Sequence, residues 1–148
     1  MALQIGDKVP HFKSIDDQGN SFQSNELLGV TPMIIYFYPK NFTPGCTKEA
    51  CDFRDYYHDF KNHGYEVIGI SSDSVKSHQR FKNKYHLPFP FLSDKNGKLR
   101  ELFGVKSKLF GLLPGRETFV INKEGEVQLR FDSIKASKHI SEVLKVVK

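Results

Sequence analysis

The feature that most constrains the fold of this chain is an apolar strand that runs into a helix start across a short, proline-led loop. Residues 33–38 (MIIYFY) favour a strand, and the run is long enough to be buried on both faces of a sheet. Pro39 ends the strand, because proline has no N–H to donate to a neighbouring strand. After the loop, Thr43 suits the N-cap of a helix and Pro44 its first position. The segment predicts a buried strand that leads directly into a helix.

A cysteine lies in the first turn of this predicted helix. Cys46 takes the third helical position, among backbone amides that have no intrahelical partner. A helix start is electropositive, and a thiol there ionises more easily than a thiol in water. Apolar residues follow Cys46 at helical spacing up to a C-terminal glycine, Gly64, and they are Ala50, Phe53, Tyr57 and Phe60. Cys46 is therefore expected to face the sheet at the strand's C-terminal end, where active sites of open α/β sheets gather.

The second cysteine, Cys51, lies off this apolar stripe, and the chain of 148 residues contains no third one. Residues five apart on an ideal helix are separated by ~8.7 Å and ~140°. A disulfide rarely spans more than ~7 Å between Cα atoms. Cys46 and Cys51 can therefore bond only if the helix start unwinds, which suits a redox pair better than a permanent structural link.

Two other interpretations of the cysteines remain open at this point. Free cysteines are most often inert buried residues, although the helix-start position of Cys46 speaks against that here. A zinc site needs further ligands at suitable spacing. The histidines form no such cluster and are interpreted as surface or hydrogen-bonded residues; they are His11, His58, His63, His78, His86 and His139. No metal site is expected.

The segment resembles the active-site motif of the peroxiredoxins, P-x-x-x-T-x-x-C, which Pro39, Thr43 and Cys46 meet. The C-x-x-x-x-C spacing to Cys51 is similar to the bacterioferritin-comigratory or Q-type branch, in which both cysteines belong to one chain. Residues 115–121 (GRETFVI) resemble the family's arginine-bearing strand, and the resemblance covers nearly the whole chain. Two residues depart from the branch's pattern, Asn41 at a frequently acidic position and His11 after Pro10.

The resemblance implies a thiol-dependent peroxidase that reduces hydrogen peroxide and organic hydroperoxides. Cys46 would attack the O–O bond as a thiolate and become a sulfenic acid, which Cys51 would condense into an intramolecular disulfide. A thioredoxin-like dithiol reductant would then restore both thiols. No bound cofactor is implied.

Thiolate chemistry explains the other residue types of the motif. A free thiol is only about 3% ionised at pH 7, so Cys46 needs partners that stabilise an anion. Arg116 is the candidate, because its planar fork of donors can hold both a sulfur and a peroxide oxygen. The Thr43 hydroxyl can accept from the peroxide, and Pro39 would shield the thiolate from water. The resemblance suggests that Glu49 orients Arg116, but a solvated charge on the helix surface is an equally good interpretation.

The remaining sequence predicts one thioredoxin-like domain over residues 1–148. Strand–helix alternation followed by a hairpin and a closing helix favours an α/β sandwich with a central mixed sheet flanked by helices. An N-terminal hairpin turns at residues 17–20. The later elements are strands at 66–71, 118–122 and 127–131, helices at 75–86 and 99–103, and a last helix with an apolar stripe at Ile140, Val143, Leu144 and Val147.

Charge and hydropathy restrict the partners. The net charge is +5, but the densest basic stretch, residues 76–84, is interpreted as a solvated helix face because base-reading motifs are absent. No specific nucleic-acid binding is expected. No segment approaches the ~18 apolar residues of a membrane span, and residues 1–10 lack the apolar core of a signal peptide. A cytoplasmic location without membrane binding is expected.

Some alternatives stay open in the sequence. The apolar segment at residues 109–113 (LFGLL) is interpreted as core or as a wall beside the thiol rather than as a self-association patch, so a monomer or weak homodimer is expected. A thiol–disulfide oxidoreductase of the same fold is disfavoured because C-x-x-C is missing. A redox sensor that uses the disulfide as a switch is not distinguished from a peroxide scavenger.

Overall fold

A mixed five-stranded sheet forms the centre of the computed structural model, which describes residues 3–108 and 113–147. The strand order is β5-β4-β3-β8-β9, and separate two-stranded sheets are formed by β1 with β2 and by β6 with β7. The strands are β1 (Lys13–Ile15), β2 (Ser21–Gln23), β3 (Met33–Phe37), β4 (Glu66–Ser71), β5 (Phe91–Ser93), β6 (Ser107–Lys108), β7 (Leu113–Pro114), β8 (Glu117–Ile121) and β9 (Val127–Asp132).

The proline-terminated strand of the sequence is β3, the central strand. It pairs in parallel with β4, where Met33 lies opposite Glu66, and antiparallel with β8, where Met33 lies opposite Ile121. All five of its residues are buried. An apolar run without alternation is stable only where both faces of the strand are covered, so this strand takes the middle of the sheet.

Helices cover both faces of the sheet. They are α1 (Pro44–Asn62), α2 (Val75–Tyr85), α3 (Lys98–Phe103) and α4 (Ala136–Val147), with a 3₁₀ turn at Ser24–Glu26. One apolar cluster joins Tyr36 of β3 to Phe53 of α1, Phe81 of α2 and Val143 of α4. A second cluster on the other face joins β3 to α3 and the N-terminal segment, through residues that include Phe37, Phe103, Leu3, Val9 and Phe12.

The helix that carries both cysteines begins and ends as the sequence predicts. Thr43 is the N-cap, Pro44 the first helical residue and His63 the C-cap, and Gly64 follows with φ of 85°. A glycine is favoured there because the left-handed conformation places a Cβ too close to the backbone. Phe42, directly before the N-cap, also has a positive φ, of 68°.

The predicted thioredoxin-like α/β fold with an N-terminal hairpin is confirmed by this arrangement. The sequence missed β5, because three residues directly after a proline give too little pattern to detect. Of the apolar segment at residues 109–113, residues 109–112 lie outside the described part of the chain. None of the helices within residues 3–108 and 113–147 has both the length and the apolar character that a membrane crossing requires.

Candidate active site

The thiol of Cys46 lies where α1 begins, against the C-terminal end of the central strand. Cys46 is the third residue of the helix and is only 1% exposed. It packs in the same apolar cluster as Ala50, Phe53 and Tyr36. The predicted orientation toward the sheet is confirmed, and both cysteines are free thiols in this structure.

Arg116 reaches Cys46 from the start of β8. Its Nη2 donates to the Cys46 Sγ across 3.4 Å, although 70 residues separate the two in the chain. Gly45 leaves room for this approach, since a Cβ at that position would lie 3.0 Å from Arg116 Nη2 and the guanidinium would have to shift by a few tenths of an ångström. The helix start and the guanidinium therefore both place positive charge beside the same sulfur.

Cys46, Arg116 and Glu49 form a buried row of three side chains, in which Arg116 contacts the other two. The Oε1 of Glu49 accepts from Arg116 Nη1 at 2.6 Å. Glu49 is fully buried, so its interpretation as a solvated helix charge is wrong. Burial raises the pKa of Glu49 to about 8, and the nearby Arg116 guanidinium opposes that rise. Burial lowers the pKa of Arg116, but the charges of Glu49 and Cys46 outweigh this effect and raise it above its usual value.

The other residues of the predicted site lie in α1 or just before it, and none of them has a hydrogen bond to the sulfur among the described contacts. Thr43 does not cap the helix with its side chain; its hydroxyl donates to the carbonyl of Lys40 at 2.8 Å. The oxygen lone pairs of Thr43 therefore stay available to accept a hydrogen bond. Pro39 is half-buried, two residues after the end of β3. Cys51 is half-buried in the same unbroken helix as Cys46.

A polar network that the sequence did not reveal holds the loop between β3 and α1. The backbone N–H of Asn41 donates to Asp73 Oδ2 at 2.9 Å, and its side-chain amide donates to His78 Nδ1 at 3.0 Å. The Tyr38 hydroxyl donates to Asn41 Oδ1 at 2.5 Å. The sequence marked Asn41 only as a departure from a family pattern, and nothing local to it signals its bonds to Asp73 and His78, which lie 32 and 37 residues further along the chain.

His139 of α4 is the second contribution that sequence reasoning missed. It is fully buried, with Nδ1 at 2.7 Å from Thr118 Oγ1 and Nε2 at 2.8 Å from the Ser133 carbonyl. The interpretation as a hydrogen-bonded histidine is correct, but Nδ1 also lies 3.6 Å from Glu49 Oε2. The sequence did contain a signal for the burial of His139. This histidine lies at helical spacing on one stripe of α4 with apolar residues, and the buried residues of this stripe are Ala136, His139, Val143 and Val147.

The described residues offer this site no set of side chains arranged to hold a metal ion. Among residues 3–108 and 113–147, no group of three or more His, Cys, Asp or Glu side chains is placed to hold a metal ion. The row of sulfur, guanidinium and carboxylate suits a different chemistry, in which an anionic sulfur acts as nucleophile and a fixed cation holds the reacting atoms.

Comparison with known proteins agrees with this chemistry. The AhpC/TSA family model matches residues 5–130. The chain belongs to the AhpC/TSA family. A curated member, chloroplastic peroxiredoxin Q of Sedum lineare, is 49% identical over 143 residues, which are 96% of this chain and 76% of the relative. The chain spans 64% to 76% of the length of the chloroplastic relatives compared.

Two solved structures match the fold closely. Peroxidoxin BcpB of Mycobacterium tuberculosis has a TM-score of 0.90 and 35% identity, covering 98% of this chain and 96% of its own. The bacterioferritin comigratory protein of Xanthomonas campestris, described with alkyl peroxide reduction activity, has a TM-score of 0.84 and 33% identity over 92% of this chain and 89% of its own. The predicted resemblance to the Q-type branch is confirmed, and the chain is a thiol-dependent peroxidase.

Proposed function

We propose that this chain reduces hydrogen peroxide and organic hydroperoxides with Cys46 as the nucleophile and Cys51 as the resolving thiol. The observation that carries the proposal is the 3.4 Å hydrogen bond from Arg116 Nη2 to the buried Cys46 Sγ. A positive side chain this close to a sulfur at a helix start favours the thiolate, which is the reactive form. The alkyl peroxide reduction described for the Xanthomonas campestris relative supports the organic substrates.

In the first step, the Cys46 thiolate attacks the terminal oxygen of the hydroperoxide. The S–O bond forms while the O–O bond breaks, the hydroperoxide O–H proton stays on the transferred oxygen, and the leaving oxygen takes a proton from solvent and departs as water or an alcohol. The sulfur is oxidised to a sulfenic acid. Arg116 stabilises the charge that develops on the oxygens. The Thr43 hydroxyl accepts from the hydroperoxide O–H, since its own proton is donated to the Lys40 carbonyl.

In the second step, the Cys51 thiol attacks the Cys46 sulfenic acid, and water leaves as the disulfide forms. An external dithiol of the thioredoxin type then supplies two electrons and two protons, restores both thiols and becomes a disulfide itself. The support for Cys51 is its position in the same helix, half-buried and free.

The cellular setting is part of the proposal. We propose that residues 1–148 form a single domain, that the protein is cytoplasmic, and that it is monomeric or weakly dimeric. The curated relatives compared are chloroplastic proteins, which places them in another compartment. Cell fractionation tests the location, and analytical ultracentrifugation of the reduced chain tests the oligomeric state.

The overall proposal predicts rapid peroxide loss by the reduced protein. Mixed with hydrogen peroxide in a stopped-flow instrument without a reductant, the protein should consume about one equivalent and lose both thiols, since oxidation of two thiols to one disulfide supplies the two electrons that reduce one peroxide. Protein alkylated at both cysteines is the control. Consumption no faster than that of free cysteine would contradict the proposal.

A further prediction concerns motion on oxidation. Cys46 and Cys51 both lie inside α1 (Pro44–Asn62), and their ideal helical separation of ~8.7 Å exceeds what a disulfide spans. Oxidation should therefore unwind the start of α1, which breaks only a few terminal hydrogen bonds and costs far less than global unfolding. Hydrogen exchange should show lost protection around residues 42–55 and unchanged protection in β3 and α4.

Oxidised Cys51→Ser protein is the matched control for this motion, because it cannot form the intramolecular bond. Its exchange in residues 42–55 should stay close to that of the reduced protein. Identical exchange of reduced and oxidised wild type, with the Cys46–Cys51 bond verified by mass spectrometry, would show that the mechanism is wrong.

A further inference from the structure

One oxygen of the Glu49 carboxyl group is left without a hydrogen bond in the centre of the site. Oε1 accepts from Arg116 Nη1 at 2.6 Å. Oε2 is buried and has no hydrogen-bond partner among the described residues. A buried carboxylate oxygen without a donor is destabilising. The polar atom facing it is Nδ1 of His139, 3.6 Å away and a few tenths of an ångström beyond hydrogen-bond length.

His139 is held in one orientation by its other contacts. Its Nε2 lies 2.8 Å from the Ser133 carbonyl, which can only accept, so Nε2 carries a proton. The ring meets Phe131 edge-on with centroids 4.9 Å apart. Burial lowers the pKa of His139, which favours the neutral ring with a free lone pair on Nδ1. Thr118 Oγ1, at 2.7 Å from Nδ1, donates to that lone pair.

The charges of the buried row show why a proton belongs between Glu49 and His139. With Cys46 as thiolate, Arg116 as cation and Glu49 ionised, the row carries a net charge of minus one out of contact with water. One proton on the Glu49–His139 pair makes the sum zero, and burying a neutral set costs much less than burying a charge. Other titratable groups act on the pair more weakly: Asp52 of α1 on Glu49, and Asp132 of β9 on His139. From the sheet, the buried phenols of Tyr36 and Tyr38 also feel Glu49; burial raises the pKa of both, so they stay neutral and add no charge.

We propose that His139 is a positioning residue for peroxide reduction: it shares one proton with Glu49 and thereby keeps Arg116 directed at Cys46 Sγ. The protonated Oε2 of Glu49 donates to His139 Nδ1 when the two close by a few tenths of an ångström, in competition with the Thr118 hydroxyl. The unshared Oε1 continues to accept from Arg116. The inference rests on the proposed function, because it assigns a role within that same site.

A proton shared between Glu49 and His139 predicts that the rate of Cys46 oxidation falls at alkaline pH. The folded-state pKa of Glu49 is raised to about 8, so the proton is present below that pH and is lost as the pH rises through it. Above it, the carboxylate attracts Arg116 more strongly and adds a negative charge beside the thiolate. The rate constant for Cys46 oxidation should therefore fall in one step with a midpoint near pH 8.

Two substitutions should move that midpoint in opposite directions. His139→Gln keeps a donor for the Ser133 carbonyl but removes the base, so the midpoint should fall by about one pH unit and the rate at pH 8 by about fivefold. Thr118→Val keeps the side-chain shape but removes the competing hydroxyl, so the midpoint should rise. Val143→Ala is the control, because it loosens the same helix one turn further on without touching a polar contact.

The decisive experiment is a double-mutant cycle with Glu49→Gln, followed by stopped-flow oxidation with hydrogen peroxide from pH 5.5 to 9.5. In the Glu49→Gln background the alkaline step should vanish, and adding His139→Gln should change the rate less than about twofold. The inference would be overturned if His139→Gln slowed oxidation equally in the wild type and in the Glu49→Gln background. It would also be overturned if neither Thr118→Val nor His139→Gln moved the midpoint of the alkaline fall in rate. A wild type that does not consume peroxide would instead contradict the proposed function.

Discussion

Cys46→Ser is expected to abolish peroxide reduction, whereas Cys51→Ser is expected to leave the first turnover intact. Only Cys46 has the helix-start position and the Arg116 hydrogen bond that favour a thiolate. A serine hydroxyl in its place is not ionised near neutral pH, so the peroxide rate should fall to the background level. The measurement is stopped-flow peroxide consumption by each reduced variant.

The Cys51→Ser variant should consume about one equivalent of peroxide and then stop, because its Cys46 sulfenic acid has no intramolecular partner. A dimedone adduct on Cys46, detected by mass spectrometry, would identify that species. Cys46→Ser treated in the same way should give no adduct. Equal loss of the first turnover in both variants would overturn the assignment of nucleophile and resolving thiol.

Replacing Arg116 is expected to produce the second-largest effect. Arg116→Ala should slow oxidation of Cys46 by about 10²-fold, the usual consequence of removing one fixed donor from a charge-stabilising site. Arg116→Lys should recover only part of this loss, because a lysine keeps the charge but not the planar fork that reaches Cys46 and Glu49 together. The measurements are the second-order rate with hydrogen peroxide and the pH dependence of Cys46 alkylation.

Arg130→Lys is the matched control for these variants. Arg130 is also a largely buried arginine paired with a buried carboxylate, since its Nε lies 2.8 Å from Glu117 Oε2. It also donates to the carbonyl oxygens of Leu3 and Gly104, so it has a structural role. Its replacement should lower the unfolding temperature and leave the peroxide rate within about twofold. Unchanged oxidation and alkylation in Arg116→Ala would remove Arg116 from the site.

The order of strands and helices around the site could be read from the sequence because it depends on neighbouring residues. The apolar run at β3, its terminating proline and the Thr43–Pro44 helix start each act within a few residues, and the structure confirms them. Short elements such as β5 (Phe91–Ser93) were missed, since three residues become a strand only through pairing with β4.

The partners of Cys46 lie far from it in the chain, so local patterns did not reveal them. Arg116 was predicted from the resemblance to a family, and composition alone does not distinguish it from Arg130. The fold distinguishes Arg116 from Arg130, because successive side chains along an extended chain point to opposite faces of the sheet. Arg116 reaches Cys46 on the α1 side, while Glu117 turns to the other face and binds Arg130.

The sequence by itself determined the buried central strand, the cysteine at the helix start and the candidate pair of thiols, because all three depend on local backbone chemistry. Only the tertiary structure decided that Glu49 is a buried partner of Arg116 rather than a surface charge, and that His139 stands against it. These contacts join residues that lie 67 or more positions apart in the chain. Their energies depend on how far the side chains are buried away from water. Burial of this kind exists only after the sheet and its covering helices have assembled.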